Sequence, residues 1–128
     1  RTPLRDALFQ LETEGFVTIY PRRGVIVNTL TLEKIRNIYE IIGGLESSVM
    51  VHIALRFRES DADFMEKCNA QMRKALDQNN FQLFYEENLK FHNVYLNMSD
   101  NAEILHYIKI HRERLYDFPR NKTYVKEW

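Results

Sequence analysis

A chain of 128 residues has room for one ordinary domain or for two small ones. With 45% hydrophobic and 28% charged residues and few Gly or Pro, it reads as a folded globular chain rather than a low-complexity tail. Eighteen basic residues against eighteen acidic ones give zero net charge, so a uniformly basic nucleic-acid binder is excluded and any such role needs locally clustered charge.

The elements follow in chain order. Thr2 followed by Pro3 is a helix-start pair, with the hydroxyl as N-cap and proline in the first turn. Leu4, Ala7, Leu8 and Leu11 then recur at helical spacing, and Gly15 is placed to close the helix as its C′ glycine. Phe16 to Tyr20 is rich in β-branched and aromatic residues. Pro21-Arg22-Arg23-Gly24 has turn chemistry, and Val25-Ile26-Val27 reads as a second strand, so the two runs predict a hairpin with arginines at its tip. Thr31 can cap a new helix carrying Ile35, Ile38, Tyr39, Ile42, Leu45, Val49 and Ile53 as far as about Phe57. Gly43-Gly44 interrupts that stripe, which costs about 1 kcal/mol per glycine or permits a close helix crossing. Ser60 or Asp61 is expected to cap a further helix with Phe64, Met65, Cys68, Met72 and Leu76 on one face, ended by Asn79-Asn80. A third helix is expected from Phe81 to Met98, and a fourth from Ala102 to Asp117, stopped by Pro119. No stretch reads as 18 apolar residues, and no signal peptide is visible. Cys68, the one cysteine, fits a small buried core residue in a reducing cytoplasm.

A helix leading at once into a hairpin has a physical use on DNA. The helix fits the major groove with its N-terminal residues toward the bases, and the hairpin reaches a neighbouring groove or the backbone. Arg1 and Arg5 stand about one turn apart at the helix start, and Arg22, Arg23 and Gly24 form the tip. Arginine forks suit phosphates and guanine edges, although arginines at a turn are also ordinary solvated residues.

Arg1-Thr2-Pro3-Leu4-Arg5-Asp6-Ala7-Leu8, then Leu11-Glu12, Glu14-Gly15-Phe16-Val17 and Pro21-Arg22-Arg23-Gly24 resemble the recognition helix and wing of the GntR family of bacterial transcription regulators. The resemblance covers residues 1 to about 28 and implies operator contacts from Arg1, Thr2, Arg5, Arg22, Arg23 and Gly24. Ile38-Tyr39-Glu40, Leu45-Glu46, Phe91-His92 and Ser99-Asp100-Asn101 resemble the helical FCD effector domain of the FadR-like subfamily. The expected architecture is therefore mainly α: the C-terminal half of a winged helix-turn-helix over residues 1–29, then part of an antiparallel helical effector and dimerisation domain over 30–128.

Many FCD domains hold a divalent metal such as zinc through an Asp and a His four residues apart. The matching pair here is Asn88 and His92, and the neutral amide is the weaker ligand. Metal-dependent members also place an arginine just before the Leu-Glu pair, where this chain has Ile42. Asn88 and His92 are accordingly candidates for a metal, for an organic effector, or for a buried polar pair satisfied by neighbours. His52, His106 and His111 read as ordinary helix histidines.

The resemblance implies a cytoplasmic homodimer, not an enzyme, that binds operator DNA and senses a small molecule, organic acids among the candidates, with no membrane partner. The rival is a helical small-molecule or metal-binding module that has lost DNA binding. The chain is expected to begin partway through the DNA reader and to end before the bundle is complete. If Arg5 reads a base, Arg5→Ala weakens operator binding by the intact protein by about 1–3 kcal/mol; titrating a fluorescent operator duplex measures it, and an unchanged affinity removes Arg5 from the reader.

Overall fold

The computed structural model describes residues 2–117. Arg1, Pro119 and the tail from Arg120 lie outside that range, so the readings placed on them lie outside the described residues.

Helix α1 spans Thr2–Thr13, with Thr2 as its first residue rather than a cap in front of it. Its C-terminus is closed by the predicted glycine. Gly15 sits at φ +85°, Phe16 N donates to Leu11 O at 2.9 Å and Gly15 N to Glu12 O at 3.0 Å. These paired bonds form a Schellman closure, which needs a left-handed residue at this place. Strands β1 (Val17–Tyr20) and β2 (Gly24–Val27) pair antiparallel, Val17 opposite Val27 and Tyr20 opposite Gly24. The hairpin is held to α1 by side chains: Glu12 Oε2 accepts from Ile19 N at 2.6 Å, and Asn28 Nδ2 donates to Gly15 O at 3.0 Å. Thr18 Oγ1 donates to Asn28 Oδ1 at 2.8 Å, so Asn28 ties the end of the hairpin to its beginning.

Helix α2 (Leu32–Ile53) starts at the predicted cap, Thr31 Oγ1 accepting from Lys34 N at 3.2 Å. It ends in one 3₁₀ turn, Ala54–Arg56. Helix α3 (Glu59–Asp77) begins two to three residues earlier than expected: Arg58 holds the cap position, and Asp61 instead reaches back to accept from Arg58 N at 2.9 Å. Asn79, at φ +52°, closes α3 with a second Schellman pair, Asn80 N to Ala75 O and Asn79 N to Leu76 O. Helix α4 (Phe81–Leu96) is capped by Asn80 and stops two residues short of Met98, while α5 (Ala102–Asp117) has the predicted bounds, with Asn101 Oδ1 accepting from Ile104 N.

Helices α3 and α4 pack along one another, and α2 packs on α5 and α4. One core cluster joins Val49 and Ile53 of α2 to Tyr95, Leu96 and Ile108. A second joins Ile35, Ile38 and Ile42 to Leu115. Since Ile108 meets the late part of α2 and Leu115 the early part, α5 runs antiparallel to α2 and its end comes back to the hairpin side. Cys68 is buried as expected, and burial, then the neighbouring Glu87 carboxylate, push its thiol up and keep it unreactive.

The region Leu32–Arg56 corrects the hydropathy reading: with a mean hydropathy of 1.3 it is long and apolar enough, by length and composition, to cross a membrane. Ile35, Ile38, Ile42, Val49 and Ile53 are buried on one stripe with a buried Glu46 in their midst, while Leu32, Tyr39, Ile41 and Val51 stay exposed. Gly43 and Gly44 lie inside this one continuous helix, and a Cβ at either meets nothing within 4 Å, so no close crossing among the described residues accounts for them. Gly43→Ala and Gly44→Ala should each stabilise the fold by about 0.5–1 kcal/mol, because alanine lowers backbone entropy in the unfolded chain without a clash; chemical denaturation measures it, and a loss of stability would show that this face is occupied in the intact protein.

Candidate effector site and nucleic-acid interface

The N-terminal unit presents its charge outward. No residue of α1 is buried, and Leu4, Phe9 and Leu11 are exposed alongside Arg5. The Arg5 guanidinium lies 5.4 Å from the centre of the Phe9 ring one turn on, a cation–π contact that holds it along the helix surface. Thr2 is exposed in the first turn. At the tip, Arg23 N donates to Tyr20 O at 2.9 Å, closing a turn with Pro21 and Arg22 at its centre. Arg22 takes φ +62°, a left-handed conformation that costs a non-glycine residue about 1 kcal/mol, and Gly24 follows at φ +113°. Arg22, Arg23 and Gly24 are all exposed. Two of the predicted arginine positions thus share one exposed tip, and Arg5 stands on the exposed helix before it.

Inside the bundle, His92 is drawn into a polar cluster whose other members the sequence does not single out as site residues. Glu46, only 8% exposed, stands on the buried stripe of α2 between Ile42 and Val49. Its Oε1 accepts from Arg112 Nη2 of α5 at 2.7 Å, and its Oε2 accepts from the Tyr95 hydroxyl of α4 at 2.6 Å. His92 Nδ1 lies 3.0 Å from the same Oε2 and 2.6 Å from the Tyr95 oxygen. The carboxylate has no proton to give, and Tyr95 spends its own on Glu46. Nδ1 therefore carries the hydrogen, and Nε2 is the ring nitrogen left for a further partner. Arg112 is itself 9% exposed, so the ion pair it makes with Glu46 is buried.

The electrostatics agree with that hydrogen-bond pattern. Burial acts to raise the Glu46 carboxyl, but the hydrogen bonds from His92 and Tyr95 and the charges of His92 and Arg112 together outweigh it and hold the group below its ordinary range. Burial, followed by the hydrogen bond to Glu46, pushes the Tyr95 hydroxyl far up, so it remains a donor across the physiological range.

Asn88 is half-buried one turn before His92 on α4. Together the pair offers one imidazole nitrogen and one neutral amide oxygen. Among the described residues no three His, Cys, Asp or Glu side chains converge to hold a metal ion. A protein zinc site takes three or four ligands, so the described residues do not fit a metal by themselves. Ile42, where the resemblance places an arginine, is packed against Leu115 and its neighbours, and the guanidinium that meets Glu46 comes from α5 instead. Arg112 also lines a cavity of about 350 Å³ between α4 and α5, with Tyr85, Leu89, Asn93 and Lys109 on the other walls. His52 Nδ1 contacts Ser48 O and His111 Nδ1 contacts Tyr107 O, each at 2.7 Å, as helix histidines satisfied by the preceding turn.

A signal for the missed residues was present. Glu46 is a charged residue in phase with an apolar stripe, and Arg112 lies four residues after Ile108 and three before Leu115, on the buried side of α5. Their pairing is what no spacing could supply.

An exposed helix and hairpin joined to an antiparallel helical bundle with a polar centre is the architecture of a winged-helix element on an all-α effector-type domain. The chain belongs to the FCD domain family, whose model matches residues 37–127. It is 29% identical over 100 residues to the HTH-type transcriptional repressor RspR of Escherichia coli, covering 78% of this chain and 44% of that protein. It is 27% identical over 95 residues to an uncharacterised HTH-type transcriptional regulator in the TAR-I ttuE-ttuC' intergenic region of Agrobacterium vitis, covering 72% of this chain and 56% of that one. The chain thus spans about half the length of the curated relatives it matches. A solved structure, described by the statement that Lar controls the expression of the Listeria monocytogenes agr system and mediates virulence, shares the fold with a TM-score of 0.61 at 16% identity, over all of this chain and 63% of that one.

Removing Arg112 leaves a buried, uncompensated carboxylate, so Arg112→Met should cost about 3–5 kcal/mol in stability, and Glu46→Gln in the same background should recover part of the loss. Because the folded-state pKa of Glu46 is depressed, its stabilising contribution is complete above the ordinary value of 4.5 and is lost as pH falls through the lower folded value. Urea titrations of wild type and Glu46→Gln across that acid range should converge at the lowest pH; parallel curves would contradict the assignment.

Proposed function

We propose that this chain is the DNA-reading and ligand-sensing part of a bacterial, cytoplasmic transcription regulator that acts as a homodimer on two operator half-sites. Helix α1 enters the major groove, with Thr2 and Arg5 toward the bases and Arg1 at the same end. The tip formed by Arg22, Arg23 and Gly24 meets the backbone or the neighbouring groove. The observation that carries this reading is the joining, in one member of the FCD domain family, of an unburied helix to a hairpin tip bearing two exposed arginines. The strained Arg22 backbone also favours it, since strain of this kind persists where a side chain must be held in a particular direction. The HTH-type relatives supply the class, and binding rather than catalysis is the activity proposed.

We place the effector site at His92 and the Glu46–Arg112 pair, where Arg112 also borders the cavity between α4 and α5. A ligand there meets the Nε2 side of His92 and the donors of Arg112 that do not face Glu46, with Asn88 one turn away on α4. Those groups suit a small polar molecule bearing an acid group, bound through hydrogen bonds and one guanidinium contact. Occupancy changes the affinity for DNA by favouring one placement of reader on bundle over another.

The test uses the intact protein and a duplex selected from a random pool. Affinity should fall steeply with salt, and Arg22→Gln/Arg23→Gln should lower the log–log salt slope by roughly one for each phosphate that an arginine no longer neutralises. Salt-independent binding, or an unaltered slope in the double variant, would overturn the interface.

A further inference from the structure

Besides the chain linker between Asn28 and Thr31, α5 makes a second connection to the N-terminal unit. The guanidinium of Arg114 lies directly over Gly15. A Cβ at Gly15 would stand 3.1 Å from Arg114 Nε and 3.2 Å from its Cζ and Nη2. Gly15 is therefore required by its φ of +85°, and a side chain there would also press on the Arg114 guanidinium. Arg114 Nε is shielded from solvent with no hydrogen-bond partner among the described residues, so this contact is one of packing and orientation rather than of pairing.

Gly15 is the corner of the reader. It closes α1 and precedes β1, and its carbonyl accepts from Asn28 at the far end of the hairpin. A push on this corner moves helix and hairpin as one piece. The other face of α5 is fixed to the bundle: Arg112 pairs with Glu46, and Leu115 packs on Ile35, Ile38 and Ile42. Arg112 and Arg114 are about 200° apart around the helix, so they face opposite ways. A turn or shift of α5 that loosens Arg112 from Glu46 must therefore displace the Arg114 side.

We propose that Arg114 over Gly15 is the coupling contact through which the state of the Glu46–His92–Tyr95–Arg112 cluster sets the placement of the helix–hairpin reader. The two-state element is α5, docked or shifted along α2, and Arg114 is a positioning residue that touches neither DNA nor ligand. The inference rests on the reading of α1 and the hairpin as the DNA reader, but its test needs no DNA.

Amide hydrogen exchange of the intact protein, followed over residues 12–28, reads the reader's tethering directly. The cluster is disturbed with His92→Ala, whose side chain is partly exposed and so tolerates removal, and with Glu46→Gln as the second trigger. In the wild-type background either trigger should change exchange in that segment by at least about fivefold, the low end of site-to-site couplings. In an Arg114→Ala or Arg114→Met background the same triggers should still alter α2 and α4 but leave residues 12–28 as in the background protein. Equal transmission with and without Arg114 would assign the coupling to the linker and overturn the proposal, as would the absence of any effect at residues 12–28 in the wild type. A protein that failed to bind any duplex yet showed this pattern would lose the proposed function and keep the coupling.

Discussion

The carboxylate of Glu46 lies in the middle of a helical bundle, where an isolated charge is expensive, and three helices are organised by the need to satisfy it. Arg112 answers one oxygen from α5, and Tyr95 and His92 answer the other from α4. A buried ion pair of this kind adds little net stability over a well-packed apolar alternative, while removing one partner is costly. Its contribution is to register: the pair sets how far α5 can slide along α2 before a charge is left bare. The two apolar clusters on either side of Glu46 then fill in around that fixed point.

A network in which both carboxylate oxygens of Glu46 are bonded has few relaxed alternatives. Helix α5 carries that arrangement toward the hairpin, because its antiparallel run along α2 returns its C-terminal turn to the level of Gly15. The exposed arginines of the tip and of α1 stand on the far side of that corner, in a unit whose own hydrogen bonds through Glu12, Asn28 and Thr18 hold it together as a piece.

Much of the fold is legible in the sequence because its signals are local. Gly15, Thr31, Asn80 and Asn101 each close or open a helix by satisfying backbone groups within a few residues, and the bounds of α5 follow from such signals alone. The start of α3 is harder to place because Ser60 and Asp61 both look like caps, whereas the chain uses Asp61 from inside the first turn. The hydropathy of Leu32–Arg56 is easily underestimated because Glu33, Lys34, Glu40 and Glu46 break up the apolar residues without removing the window that matters. Of the candidate site, His92 is found by its resemblance to a family motif, but Glu46 enters only as half of a motif and Arg112 and Tyr95 not at all.

What the sequence by itself determined is the set of elements, their order, the arginine-tipped hairpin and the membership in a family of helical domains. These depend on caps, periodicity and turn residues, which act over one to four positions. Only the tertiary structure decided that Arg112, rather than a residue on α2, meets Glu46, that His92 is oriented through Nδ1, and that Arg114 rests on Gly15. Those contacts join residues 46 to 99 positions apart in the chain, and a charge on a buried stripe announces that it needs a partner without saying which helix will bring it.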